Sequence, residues 1–149
     1  MKTLVLGLGN PILTDDGIGI KIAQKIKEEN PGLQVVETSE AGLTLLDHAT
    51  GYDKLIIIDS IKTGHGEAGK LYKLELEDLK PGRHFPSSHG LDIATVFKFA
   101  EDLGCRMPQA ISIYAIEVKD NTTFGEECTL ELEKRIPSIT KQIIENEEL

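Results

Sequence analysis

The sequence predicts an α/β fold in which a mostly parallel sheet of about five strands lies between two layers of helices. Apolar segments of strand length alternate with amphipathic segments of helix length, which is typical of a doubly wound sheet. The segment 52–60 contains the uninterrupted apolar run 55–58, as expected for a strand buried on both faces. A length of 149 residues suits one domain with a substantial core, so we expect residues 1–149 to form a single domain.

The predicted strands are short segments whose apolar residues either run continuously or alternate with polar ones. Continuous runs, as in residues 2–8, indicate strands inside the sheet. In residues 70–75, Leu71, Tyr72 and Leu74 stand among charged residues, which favours an edge strand with one face in solvent. The predicted strands are residues 2–8, 34–37, 52–60, 70–75 and 110–118.

The predicted helices carry apolar residues three or four positions apart, so that one face of each can pack on the sheet. The first begins near Asp16 and stops at residues 30–32, where proline and glycine follow an asparagine. The last begins after Gly125; Pro137 is expected to kink or interrupt it, and the acidic residues 145–149 are expected to fray. The other two helices are predicted at residues 43–49 and from about residue 93 to Gly104.

Composition narrows the classes of function. A formal net charge of −9 disfavours an electrostatic nucleic-acid binder. Cys105 and Cys128 form no CxxC pair, which favours two reduced thiols over a disulfide framework or a zinc knuckle. No apolar run reaches the roughly 18 residues of a membrane span, and no charged-then-apolar leader opens the sequence. We therefore expect a cytoplasmic protein without membrane or nucleic-acid partners.

The most informative segment is the glycine-rich turn at residues 7–19, between the first strand and the first helix. Such a turn invites a dinucleotide interpretation, because glycines let a pyrophosphate approach the backbone at a helix N-terminus. Here the third glycine of that fingerprint is missing, and Asp15 and Asp16 stand where the anion would lie. Two carboxylates repel a phosphate and suit a cation, so the turn is interpreted as a loop that presents carboxylates.

Three residues form the candidate site. Asp16 follows the first strand, Asp59 ends the apolar strand at 52–60, and His89 lies in the loop before the third helix. Ligands of doubly wound sheets bind outside the carboxyl ends of the strands, where these residues are expected to meet. Two carboxylates and an imidazole suit a divalent transition ion and leave coordination positions open for a reacting group. Without a metal, the same residues can serve as a proton-transfer cluster.

Each residue also has a simpler interpretation. We expect Asp15 to be the N-cap of the first helix, and Asp16 could merely complement the helix dipole. Asp59 could begin a turn, and His89 could be a polar residue early in a helix. Glu37 and Glu117 end strands near the expected crevice, where they are candidates for supporting the ligands or contacting a substrate. The simpler interpretation of Glu37 and Glu117 is a solvated position. It is the shared sheet edge of Asp16, Asp59 and His89 that favours a site.

The motifs resemble those of the hydrogenase maturation endopeptidases. The opening pattern of that family, G-x-G-N-x-x-L followed by an Asp and a second acid, is similar to residues 7–17. Its next markers, an apolar strand that ends in Asp and a Ser/Thr-x-His loop ahead of a helix, resemble the segments ending at Asp59 and His89. The chain departs from the family at residues 37–42, where a Gly-rich stretch is common and Glu37 is the nearest equivalent acid. The similarity covers nearly the whole chain.

The resemblance implies a phosphorylase/hydrolase-like fold and an aspartic-type, metal-dependent endopeptidase. Members remove a C-terminal extension from the large-subunit precursor of a nickel-iron hydrogenase after nickel insertion. Asp16, Asp59 and His89 are then both metal-binding and catalytic residues, the nickel is supplied by the precursor, and another divalent cation can take its place. We expect the protein to be a monomer.

Two other functions are kept as alternatives. The first is a non-catalytic chaperone that checks for nickel during hydrogenase assembly. The second is a peptidyl-tRNA hydrolase, since those enzymes also begin with Gly-Leu-Gly-Asn-Pro, here residues 7–11. That alternative is disfavoured because their Gly-x-x-Tyr and Arg-His-Asn segments are absent and the chain is acidic.

Overall fold

A computed structural model describes residues 1–39, 44–76 and 93–149 of the chain. Within these ranges, five strands form one sheet in the order β2-β1-β3-β5-β4. The first four in that order run parallel, whereas β4 pairs antiparallel with β5 at the edge. The strands are β1 (Thr3–Leu8), β2 (Gln34–Thr38), β3 (Lys54–Ile61), β4 (Leu71–Glu75) and β5 (Ala110–Glu117).

The helices connect these strands and cover both faces of the sheet. The apolar faces of α2 and α3 pack on one side, and those of α1, α4 and α5 pack on the other. The predicted three-layer α/β fold is therefore confirmed, as is the edge position of β4. The helices are α1 (Ile18–Glu29), α2 (Thr44–Ala49), α3 (Ile93–Asp102), α4 (Leu130–Glu133) and α5 (Ile136–Glu147).

The central strand β3 shows why the apolar run 55–58 is needed. Leu55 and Ile57 point into the layer of α2 and α3, whereas Ile56 and Ile58 point into the layer of α1 and α5. All four side chains are fully buried, because a strand with helices on both faces has no solvated side. The apolar run ends at Asp59, near the carboxyl edge of the sheet, and β3 continues from there to Ile61.

The carboxyl-terminal helix departs from the prediction in one respect and agrees in another. Pro137 lies in the first turn of α5, where a missing N–H costs no helical hydrogen bond, and a break separates α4 from α5 just before it. The expected fraying of residues 145–149 is wrong, because α5 continues to Glu147 and that side chain is buried. Its carboxylate contacts Lys54 at 3.1 Å and Lys73 at 3.4 Å, which holds the end of the helix.

No helix in the described ranges combines the length and the apolar character needed to cross a bilayer. The helix predicted from residue 43 is observed from Thr44, the first described residue after a gap, and the loop before α3 lies outside the described residues.

Candidate functional site

The glycines of the turn after β1 allow the backbone segments around the site to approach closely. A Cβ atom on Gly19 would collide with the carbonyl oxygens of Leu8 and Ile58, so α1 can begin against β1 and β3 only with glycine there. A Cβ atom on Gly9 would likewise collide with the carbonyl oxygen of Asp16. These glycines therefore serve the packing of a helix start on the sheet edge, which is a different use from admitting a pyrophosphate.

A short 3-10 helix, Thr14–Gly17, stands between the turn and α1 and carries both aspartates. It begins at Thr14, which has a left-handed backbone with a φ of 52°. That conformation is unfavourable for a β-branched residue. Two contacts with one neighbouring loop hold it: the Thr14 amide donates to the carbonyl of Gly125 at 2.9 Å, and its hydroxyl donates to the carbonyl of Thr123.

Asp15 does not cap α1, so the prediction made for it is wrong. The N-cap position of α1 is Gly17, and the Asp15 side chain is fully buried in another direction. Its carboxylate accepts hydrogen bonds from the Thr129 amide at 2.7 Å, the Thr129 hydroxyl at 3.1 Å and the Asp120 amide at 3.2 Å. These donors lie more than a hundred residues away in sequence, so Asp15 links the 3-10 helix to the segment before α4.

Asp16, the neighbouring acid, turns toward β3. The side chain is 2% exposed. Its Oδ2 atom accepts from the Asn10 amide at 3.0 Å, and its Oδ1 atom accepts from the Ser60 hydroxyl at 3.1 Å. The first contact holds the carboxylate to its own turn, and the second holds it to the carboxyl edge of β3.

Asp59 lies at that same edge, as its position after the apolar run predicts. The residue is fully buried and pairs in register with Ala115 of β5. Its Oδ1 atom accepts a hydrogen bond from the Ser60 amide at 2.8 Å. Ser60 thus contacts both carboxylates, its hydroxyl donating to Asp16 and its amide to Asp59. Their joint use as one site stays a prediction.

Ser60 is the residue that sequence reasoning missed. It is 1% exposed although it is polar, and it belongs to β3 rather than to the loop that follows. The available signal was a hydroxyl immediately after an acid at the end of the predicted strand 52–60, to which no role in the site was assigned from the sequence.

The third predicted ligand, His89, lies outside the described residues. Within the residues that are described, no group of three or more histidine, cysteine or acidic side chains is arranged to hold a metal ion. The described part of the site is therefore the pair of carboxylates, whose oxygen atoms are ligands that divalent cations accept.

Glu117 ends β5 near this edge, but its carboxylate is occupied by hydrogen bonds from the loop after β3 and from β4. It accepts hydrogen bonds from the Thr63 amide at 2.8 Å, the Thr63 hydroxyl and the Tyr72 hydroxyl at 2.9 Å. Burial alone would raise the pKa of Glu117, but the hydrogen bonds from Thr63 and Tyr72 outweigh it and hold the pKa below its usual value. A supporting role for Glu117 is compatible with this position and stays a prediction.

Glu37 lies on the edge strand β2, on the face of the sheet that α1 covers. It pairs in register with Gly7, and its Oε2 atom accepts from the Gln24 side chain of α1 at 3.3 Å. The side chain is exposed. Contact of Glu37 with a substrate likewise stays a prediction.

Neither cysteine belongs to the two-carboxylate site. Cys105 is exposed and Cys128 is buried, and both are free thiols. Burial raises the pKa of the Cys128 thiol to about 12, and its sulfur lies 3.9 Å from the carbonyl oxygen of Thr14. At neutral pH it is therefore an unreactive thiol that packs beneath the 3-10 helix.

The arrangement has two chemical capacities. Two buried carboxylates that each contact Ser60 can supply oxygen ligands to a divalent cation, or one of them can accept a proton from a reacting water. Both uses require the fixed positions that Asn10 and Ser60 provide.

The sequence matches a family model described as hydrogenase maturation protease over residues 8–146. The Hydrogenase 2 maturation protease of Escherichia coli is 32% identical over 82 residues, which make up 53% of this chain and only half of that protein. The hydrogenase expression/formation protein HupD of Rhizobium leguminosarum is 25% identical over 142 residues, covering 92% of this chain and 69% of that one.

The fold is shared with solved structures over nearly the whole chain. The hydrogenase maturating endopeptidase HybD from E. coli superposes with a TM-score of 0.81 at 25% identity, covering 98% of this chain and 91% of that chain. Together with the family model, this agreement extends across the turn, β3 and the helices around the site. The chain belongs to the hydrogenase maturation protease family.

Proposed function

We propose that the chain is an endopeptidase that removes the C-terminal extension of a nickel-iron hydrogenase large-subunit precursor after nickel insertion. The nickel already bound in the precursor is the recognition element, and Asp16, Asp59 and His89 are the residues that meet it. Membership of the protease family supports the reaction class. The observation that carries the site is the contact of Ser60 with both Asp16 and Asp59 at one edge of the sheet.

The carboxylates have two tasks in this proposal. As oxygen ligands to the precursor's nickel, they fix the orientation of the precursor and so place its scissile bond beside the sheet edge. Hydrolysis also requires that an attacking water lose a proton while the departing amine gains one. A carboxylate at the site is suited to accept that proton and return it, which makes the activity aspartic in type and dependent on the substrate's metal.

The positions of the carboxylates are set before substrate arrives. The Asn10 amide and the Ser60 hydroxyl hold Asp16, and the Ser60 amide holds Asp59. Such preorganisation supports a site that must bind one ion in one orientation, since a ligand displaced by 1 Å loses most of its effect.

The test is to mix the purified chain with nickel-loaded precursor and follow the intact masses of both proteins. We expect the precursor to lose its extension with the wild-type chain and to remain intact with Asp16→Asn or Asp59→Asn. These changes keep the shape of the side chain and remove its charge. Asp102→Asn, at the exposed end of α3, removes the same charge elsewhere and should cleave at the wild-type rate.

Binding of the precursor without any change in its mass would contradict the proposal and favour an assembly chaperone. Cleavage by Asp16→Asn and Asp59→Asn at the wild-type rate would show that the bond is broken elsewhere on the protein.

A further inference from the structure

Large apolar side chains are exposed beside the two-carboxylate site. Six such side chains are exposed in the described residues. Three of them lie on segments that hydrogen bonds of Thr14 and Asp15 hold together: the turn after β1, the loop after β5 and the start of α4. Phe124 is 81% exposed, Leu130 is 79% exposed and Ile12 is 48% exposed. A monomeric protein tolerates scattered exposed apolar residues, so it is their concentration at one edge that calls for an explanation.

The backbone places Ile12 and Phe124 next to each other. Leu13 and Gly125 form a parallel bridge, in which the Thr14 amide donates to the Gly125 carbonyl and the Gly125 amide donates to the Ile12 carbonyl, both at 2.9 Å. Ile12 and Phe124 directly precede this bridge on its two segments, and the hydrogen bond from Gly125 to Ile12 holds the segments side by side. The pair is thus a fixed apolar platform, and its Ile12 lies four residues before Asp16.

The loop that carries Phe124 is itself held in shape. The Asp120 carboxylate accepts hydrogen bonds from the amides of Thr122 and Thr123, and the Thr123 carbonyl accepts one from Thr14. An exposed phenylalanine on a braced loop loses little conformational freedom when a partner covers it, which favours binding.

Acidic side chains border the platform on the side of α4. Glu126, Glu127 and Glu131 are exposed, and none of them forms an ion pair with another residue of the described ranges. The chain as a whole has a formal net charge of −9. A partner that covers Ile12 and Phe124 therefore meets a negative rim, to which basic side chains are complementary.

We propose that Ile12 and Phe124 form the docking surface for an extended segment of the precursor that combines apolar and basic side chains and adjoins the scissile bond. This inference rests on the proposed function and adds the chemistry of the segment that the enzyme recognises. The apolar side chains of the segment cover the platform, while its basic side chains face Glu126, Glu127 and Glu131. Ile12 of the platform lies four residues before Asp16, so docking there delivers the neighbouring peptide bond to the carboxylates.

The test measures binding and cleavage of nickel-loaded precursor separately, by isothermal titration calorimetry and by intact-mass time courses. Phe124→Ser is expected to raise Kd and KM at least about tenfold, because a buried aromatic anchor carries much of the affinity of an interface, while kcat changes less than about threefold. Glu126→Lys combined with Glu127→Lys is expected to raise Kd and to weaken its dependence on salt.

Leu103→Ser is the matched control, because Leu103 is also 61% exposed but follows α3, on the way to the amino-terminal end of β5. It should bind and cleave like the wild-type chain, and circular dichroism should show all variants folded. Phe124→Ser that binds within about twofold of the wild-type Kd overturns the docking surface while leaving the protease intact. A wild-type chain that neither binds nor cleaves the precursor overturns both.

Discussion

Buried carboxylates lie at both ends of the sheet, and they are held in different ways. Near the amino-terminal ends of β3 and β5, Glu147 contacts Lys54 and Lys73 and accepts hydrogen bonds from the hydroxyls of Ser112 at 3.1 Å and Tyr114 at 2.5 Å. At the carboxyl edge, the contacts identified for Asp16 and Asp59 come from backbone amides and one hydroxyl. We infer from this difference that the buried Glu147 serves stability, whereas the buried Asp16 and Asp59 serve the proposed cleavage.

Glu147 joins a helix end to three strands, and the cations of two of them, Lys54 and Lys73, balance its charge within the protein. The described contacts of Asp16 and Asp59 are hydrogen bonds from backbone amides and one serine hydroxyl, which fix the orientation of each carboxylate. Changes near Glu147 should therefore lower stability and spare cleavage, whereas changes at the carboxyl edge should affect cleavage.

The largest expected effect on stability comes from Glu147→Ala. It leaves Lys54 without its buried partner and two hydroxyls without their acceptor, so the free energy of unfolding should fall by about 3 kcal/mol. Urea unfolding measures this loss, and cleavage below the melting temperature should keep the wild-type rate. Glu145→Ala, in the exposed pair with Lys141, is the control and should cost under about 0.5 kcal/mol. Equal unfolding midpoints for the two variants would contradict the stabilising role assigned to the buried Glu147.

Asp15→Ala should lower both stability and cleavage, because Asp15 joins distant segments and also holds the 3-10 helix that carries Asp16. Its carboxylate accepts three hydrogen bonds from residues 120 and 129, whose loss should cost about 2 kcal/mol. The 3-10 helix that carries Asp16 would also lose its anchor, so kcat for the precursor should fall with the stability. A variant that unfolds earlier but cleaves at the wild-type rate when folded would show that Asp16 needs no such support.

The pH dependence of stability should report on the Glu147 end. Burial alone would raise the pKa of Glu147, but the hydrogen bond from Tyr114 and the contact with Lys54 hold the pKa below its usual 4.5. A depressed pKa gives stability that is present above pH 4.5 and is lost as the pH falls through the lower folded value. Melting temperatures of the wild-type chain should thus drop in acid more steeply than those of Glu147→Gln.

The hydrogen-bonded pair of Tyr114 and Glu147 should also make stability fall as the pH rises in the alkaline range. Burial and the hydrogen bond to Glu147 raise the pKa of Tyr114 well above its usual 10. The associated stability is present below pH 10 and is lost as the pH rises toward the folded value. Tyr114→Phe should flatten this alkaline decline, and an unchanged profile would rule out Tyr114 as its source.

The smallest effect is expected for Glu37→Gln. Glu37 is exposed and contacts Gln24 on the α1 face, while Asp59 lies one register position further along on the opposite face. We expect less than about 0.5 kcal/mol in stability and less than a twofold change in cleavage. A larger loss of cleavage would assign Glu37 to substrate contact after all.

The fold and the positions of Asp16 and Asp59 near the sheet edge follow from sequence because they depend on local pattern. Apolar runs identify the inner strands, and the rule that ligands lie at their carboxyl ends selects Asp16 and Asp59. Asp15, Ser60 and Glu147 depend instead on partners that only the folded chain supplies. Thr129 is 114 residues from Asp15, and Lys54 is 93 residues from Glu147, so no local pattern connects them.

The most direct test of the proposed nickel checkpoint compares nickel-loaded with nickel-free precursor, each incubated with the wild-type chain and weighed by intact-mass spectrometry. We predict that the nickel-loaded precursor loses its C-terminal extension and that the nickel-free precursor keeps it, because Asp16 and Asp59 position the substrate through its metal. Cleavage of the nickel-free precursor at the same rate would contradict this role of the two carboxylates.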